Sequence, residues 1–225
     1  MAATPLHLRP TAALAERALL PDDPGHALAL AQALLDRPLM FNHTRGLWGY
    51  TGTAADGEPL TIQSTGLGGP STAIVLEELC DLGLRSAVGV GPCEALRDDL
   101  ALGDLVVART ALTGDGASAA LAGAARVHAD PELAAALDEG AEHAGLVASH
   151  DVYYAPPPSP GGALATNLQA ATILAVAQRR GVRAACVLAV AATGTARLDP
   201  EQLEAAIERA GHAGATALTT RAASA

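Results

Sequence analysis

Short apolar runs alternate with amphipathic segments that carry their own start signals, and no other feature constrains the fold of this chain as much. Three of these segments open on Asp-Pro: "DPGHALALAQALL" from Asp23, "DPELAAALDEGAEHAG" from Asp130 and "DPEQLEAAIERAG" from Asp199. An Asp at the N-cap accepts a hydrogen bond from a first-turn N–H, and a proline at the first helical position has no N–H to leave unpaired. The patterning predicts helices over 24–35, 70–83, 130–145, 164–181 and 199–211. Between them, strands are expected at 16–21, 39–53, 58–65, 85–91, 103–112, 146–155 and 182–191. Asp56-Gly57 marks a hairpin between the second and third of these strands. Residues 155–163 are too rich in Pro and Gly to be anything but a loop, and 213–225 are expected to be a disordered tail. Such alternation is an α/β signature, and with no linker in sight residues 1–225 read as one domain.

The material of the core is unusual. Half of the 225 residues are hydrophobic but only 2% are aromatic, so Ala, Leu and Val must fill the interior. All 14 basic residues are Arg, and the net charge is −10. That charge argues against nucleic acid and against an anionic membrane surface as partners. Cys80, Cys93 and Cys186 are too few and too far apart for a disulfide framework or a CxxC zinc site. The first 20 residues lack the charged and apolar regions of a signal peptide, and no apolar run approaches the roughly 20 residues of a membrane span. A soluble cytoplasmic protein is expected.

Two glycine-rich stretches bear on function. "VGVGPCEAL" (88–96) reads as a buried strand running into a turn that Gly89 and Gly91 open to a ligand. It holds no Arg, Lys, Ser or Thr for an anion. "STGLGGPST" (64–72) joins a strand to a helix start, where N–H groups and the helix dipole favour an anion. A plain strand-to-helix turn fits the same residues, since they match neither a P-loop nor GxGxxG.

In order and spacing the chain resembles the nucleoside phosphorylase family, and within it the uridine phosphorylase branch. The resemblance is carried by "HL" (7–8), "LLPDDPGHA" (19–27), the strand around Arg45 and "STGLGGPSTAIVLEELCDLGLR" (64–85). "LGDLVVARTALTGDGAS" (102–118), "DVYYAP" (151–156) and "NLQAATIL" (167–174) continue it. It implies a single α/β domain, a mixed, distorted β-barrel or sheet flanked by helices in three α/β/α layers. It also implies homo-oligomers, as dimers or as hexamers built from three dimers. The implied reaction is that of a pentosyltransferase, cleaving a nucleoside N-glycosidic bond with phosphate as co-substrate and no cofactor. An oxocarbenium-like transition state then needs a held nucleophile, a grip on the sugar hydroxyls and a stabilised leaving base.

The residues expected to do this are replaced. The family's first phosphate loop, Pro-Gly-Asp-Pro and then Arg, is here Pro21-Asp22-Asp23-Pro24 and then His26. The second, Arg-Ile/Val-Gly-Ser/Thr, is Gly89-Val90-Gly91-Pro92, which loses the guanidinium and the hydroxyl, and at proline a backbone donor as well. Arg45 is the remaining phosphate-binding arginine, which the family uses across a dimer interface. The ribose-binding Glu-Met-Glu is Asn167-Leu168-Gln169, which keeps hydrogen-bonding groups but not charge. Ala192 and Gly194 stand where purine- and uridine-cleaving members carry Asp and Arg, and the uracil-reading Gln and Arg are missing. Tyr153 keeps the place of the aromatic that stacks on the base, and His7 that of the residue that reaches a neighbouring subunit's sugar.

Cys93 falls in the substrate-binding segment but has no His beside it in sequence, so it reads as a small hydrophobe rather than a nucleophile. The remaining histidines show no metal-ligand spacing, and no metal is expected. Trp48 and Tyr50 read as core or interface packing. Three functions stay open: phosphorolysis as the resemblance implies, an inactive chain that binds a nucleoside-like ligand or serves as a structural or regulatory subunit, and a phosphate-independent nucleosidase. Glu94, the candidate catalytic residue, is the one new carboxylate near the reaction centre. Its open roles are a general base for water, an internal anion paired with Arg45 of a neighbouring subunit, or a solvent-facing side chain.

Overall fold

A computed structural model of the chain describes residues 5–154 and 161–219. In chain order the elements are β1 (Arg17–Pro21), α1 (Pro24–Leu34), β2 (Asp36–Asn42), β3 (Gly49–Thr53), β4 (Pro59–Gln63), α2 (Gly68–Asp81), β5 (Ser86–Ala95), β6 (Leu105–Thr113) and α3 (Gly116–Ala122). They continue as β7 (Arg126–His128), α4 (Pro131–Asp138), β8 (His143–Ser149), β9 (Ala165–Asn167), α5 (Ala170–Arg180), β10 (Arg183–Thr193), β11 (Ala196–Arg197) and α6 (Pro200–Ala217). Each Asp-Pro signal starts a helix. Asp23 accepts from the N–H of Gly25, Asp130 from Leu133, and Asp199 from Gln202, whose side chain returns a bond to the Asp199 N–H.

All the strands belong to one mixed sheet, and five of them close on themselves. β10 pairs antiparallel with β6, β6 parallel with β8, β8 parallel with β9, β9 antiparallel with β5, and β5 parallel with β10. From β5 the sheet continues outward through β1, β4, β3 and β2. Helices α2, α3 and α5 pack together over one core, and α1, α4 and α6 over the other. Alternate residues of β10 serve the two cores: Cys186, Leu188 and Val190 the first, Ala185, Val187 and Ala189 the second. The chain therefore adopts the expected α/β architecture, a closed mixed ring extended by a sheet and covered by helices.

Several element boundaries differ from the sequence reading, each for a physical reason. The strand expected over 39–53 is two antiparallel strands, β2 and β3, broken by a 3-10 turn at Thr44–Gly46 with Arg45 at φ 61° and Gly46 at φ 71°. Helix α4 ends at Asp138 rather than 145, because 143–149 pair with β6 as β8. Helix α5 starts at Ala170 rather than 164, because Ala165–Asn167 bridge β8 and β5 as β9. Helix α3 is not foreseen; it starts where Asp115 accepts from the Ser118 N–H.

Helix α6 passes Gly211, read as its stop, and runs to Ala217, so the expected disordered tail is helical over 213–217. Gly211 is there for packing: a Cβ on it would lie 2.2 Å from Leu30 Cδ2. The strand-like segment expected to 155 ends at Ser149; within the expected loop 155–163, residues 155–160 lie outside the described residues, as do 220–225 of the expected tail. Tyr50 is buried in the core as expected, while Trp48 is 39% exposed. Among the described residues no helix is long and apolar enough to cross a membrane.

Candidate functional site

β1, β5 and β10 run parallel, and ligands of such sheets lie beyond the C-terminal ends of the strands. A cleft of about 390 Å³ opens at that end. Asp22 enters it just after β1, Pro92, Cys93 and Glu94 from the end of β5, and Ala191 and Ala192 from the end of β10. Thr166 to Gln169 enter from β9 and the start of α5, and Tyr153, Tyr154, His150, Leu67 and Arg197 complete the wall. A larger groove of about 1210 Å³ lies at the other end of the same strands, beside Arg17, Arg85 and Arg183. None of the candidate residues borders that groove, whereas Asp22, Pro92, Cys93, Glu94, Tyr153 and Asn167 to Gln169 line the smaller cleft.

The stretch 88–96 is strand and not turn. β5 runs to Ala95, since β10 accompanies it to the pair Thr193–Ala95 and β9 adds Glu94–Thr166 and Ala95–Ala165. Pro92 falls between the end of the pairing with β1 at Val90 and the start of the pairing with β9 at Glu94, where a missing donor is tolerated. Gly89 does not open onto a ligand: a Cβ there would lie 2.6 Å from Ile173 Cδ1 and 2.9 Å from Cys186 Sγ. Apolar side chains occupy the space beside it. Gly91 is different, for its Cβ direction leads to Gln169 Nε2 at 3.4 Å and Asp22 Oδ1 at 3.5 Å, on the cleft wall.

Asn167 is 6% exposed, and its orientation is fixed by its neighbours. Its Oδ1 accepts from the Ser149 hydroxyl at 3.0 Å and from the Ala170 N–H at 3.2 Å. A flipped amide would set N–H against N–H at Ala170, so Nδ2 is the remaining end. That Nδ2 is buried with no partner among the described residues. Asn167 thus carries a buried, unpartnered donor in the cleft wall where the family pattern has a carboxylate, an acceptor. Leu168 and Gln169 line the same wall.

At the other side, register brings together residues that sequence spacing separates. Glu94 on β5 is paired with Ala192 on β10, and Arg197 on β11 with the same Ala192. Arg197 donates from Nη1 to Tyr153 Oη at 3.0 Å. Arg197 is the residue the sequence reading missed. A signal for it existed: Gly194-Thr195 is a two-residue hairpin turn with Gly194 at φ 54°, and it folds β11 back over Ala192.

Other candidates do not reach their own chain's cleft. Glu78 on α2 accepts from the N–H groups of Leu6, His7 and Leu8 and from His7 Nδ1 at 2.7 Å. Burial works against the Glu78 charge, but these bonds outweigh it and hold its pKa below the ordinary value. Arg45 is exposed on its left-handed turn and makes no ion pair among the described residues. His26 stands behind Asp22, with Nδ1 3.7 Å from Asp22 Oδ1. Burial opposes its protonation, yet Asp22, Asp23 and Glu204 more than offset that and raise its pKa. Cys93, by contrast, lies on the cleft wall but is buried, and burial alone pushes its thiol far above the ordinary range, which disfavours a thiolate nucleophile.

The family profile described as the Phosphorylase superfamily matches residues 16–222. The DeoD-type purine nucleoside phosphorylase of Geobacillus kaustophilus is 32% identical over 197 residues, covering 80% of this chain and 82% of that protein. The uridine phosphorylase of Thermococcus kodakarensis is 34% identical over 206 residues, covering 79% and 73%. A solved uridine phosphorylase from Vibrio fischeri matches with a TM-score of 0.80 over 91% of this chain and 90% of that one; at 24% identity this is a likeness of fold. A closed five-strand ring with a cleft at its parallel strand ends, matched along nearly its whole length, makes this chain a member of the phosphorylase superfamily. Within that superfamily its relatives include purine nucleoside and uridine phosphorylases.

Proposed function

We propose that the cleft binds a nucleoside or nucleobase-like ligand and does so without phosphate. The observation that carries this reading is the environment of Gly89. Where the resemblance asks for an arginine to hold phosphate, the space is filled by Ile173 and Cys186. The cleft is lined by Asp22 and Glu94, both of the wrong sign for phosphate, and by Pro92, which has no N–H to give; its lining guanidinium, Arg197, stands on β11 beside Ala192 and is held by Tyr153. The relatives' names supply the nucleoside, and the half-exposed Tyr153 and the donor of Asn167 are suited to a flat heterocycle bearing acceptors. On this reading the chain has lost phosphorolysis and retains binding.

A second reading is favoured by Glu94, a partly buried carboxylate on the cleft wall that makes no ion pair among the described residues. Such a group can take a proton from water and support a phosphate-independent nucleosidase. Assembly as a dimer or hexamer belongs to the same proposal. His7 and Arg45 lie outside their own cleft, and Leu6, Trp48 and Ile74 leave apolar surface uncovered near them.

Thermal unfolding with added nucleosides or added phosphate tests the first reading. A bound nucleoside raises the midpoint by mass action, and inorganic phosphate leaves it where it was. A midpoint that rises with phosphate alone overturns the proposal.

A further inference from the structure

Three strands carry a carboxylate and a guanidinium to the two sides of one small residue. Glu94 and Arg197 are each paired with Ala192, from β5 and β11 respectively. Residues directly paired across strands share a face, so the two charges stand on the same side of the sheet, two strand spacings or about 10 Å apart at the backbone. Both line the cleft, and Ala192 between them presents only a methyl group. Among the described residues they make no ion pair with each other or with any other group.

We infer that this pair selects a base with two adjacent N–H donors on one edge and two adjacent acceptors on the next, the pattern of guanine. The inference rests on the nucleoside reading given above. A carboxylate accepts from two donors at once, here N1–H and the 2-amino group. A guanidinium donates two parallel N–H bonds to O6 and N7. Arg197 has five N–H groups, and the bond to Tyr153 uses one, which steadies the side chain and leaves donors for the ligand. Other bases fit less well. Adenine sets the lone pair of N1 against the carboxylate, uracil has a single ring N–H on its pairing edge, and hypoxanthine has N1–H without the amino group. Glu94 is then a specificity residue at the base and not an anion that fills a phosphate site.

Calorimetric titration of the full chain with guanosine, inosine, adenosine and uridine tests this. Guanosine is expected to bind more tightly than inosine by about tenfold or more, the value of one charge-assisted hydrogen bond, with adenosine and uridine weaker than both. Glu94→Gln brings guanosine and inosine to the same affinity, and Arg197→Ala weakens both alike. Should either variant fail to fold, the four wild-type titrations decide alone. Equal affinity for guanosine and inosine, or tighter binding of adenosine or uridine, overturns the inference and leaves nucleoside binding standing. No heat with any of the four overturns both.

Discussion

The side-chain amide of Asn167 shows how a single residue sets what a cleft can accept. Ser149 and Ala170 occupy its oxygen, so its nitrogen is left buried without a partner among the described residues. Asn167→Asp keeps the shape and the oxygen's two partners but replaces a donor by an acceptor. The variant is expected to fold and to lose nucleoside affinity by about tenfold, read by calorimetry. Unchanged affinity means that Nδ2 does not touch the ligand. Asn167 was legible as a candidate from its place in the sequence, but which end of its amide is left unpaired was not, because that depends on Ser149, 18 residues away. Gly89 and Gly91 make the same point. Both read as openings, yet one faces Ile173 and Cys186 and the other faces Asp22 and Gln169. Only the partners brought in by α5 and β10 distinguish them.

At the level of elements, the Asp-Pro starts were reliable, while the glycine stops held at Gly83 and Gly181 and failed at Gly145 and Gly211. Asp-Pro sets a helix start through local hydrogen bonds, so it can be read from neighbouring residues alone. A glycine inside a helix is ambiguous, since it either ends the helix or makes room for a neighbour. Gly211 makes room for Leu30, where α6 crosses α1. Gly211→Ala should destabilise the protein by about 1–3 kcal/mol through overpacking, although alanine is the better helix former by about 1 kcal/mol. Chemical denaturation measures this, and a gain in stability contradicts the packing account.

The junction of β1 and α1 adds a pH dependence. His26 faces Asp22 and Asp23 from that junction and Glu204 from α6, and its pKa is raised in the folded state. Its contribution to stability is complete below the ordinary histidine pKa and is lost as pH rises through the raised value. Denaturation midpoints from roughly pH 5 to 9 should therefore show a decline that His26→Gln removes. An identical profile in the variant excludes His26 as the source.

For the whole molecule, alternation of apolar runs with capped helices was enough for the α/β class, because each element's signal is local. Closure of the ring was not legible in the same way. It depends on β9, three residues long, and on a β10 that pairs with both β5 and β6. The same closure sets Glu94 beside Ala192, and the β10–β11 hairpin adds Arg197 on the other side. Net charge −10 and the carboxylates of Asp22 and Glu94, set against the guanidinium of Arg197, are the electrostatic ground for the proposed binding without phosphate. The most direct measurement is chromatographic assay of free base from mixed purine and pyrimidine nucleosides, with and without phosphate. No release that depends on phosphate is expected, and base release that rises with phosphate would show a working phosphate site.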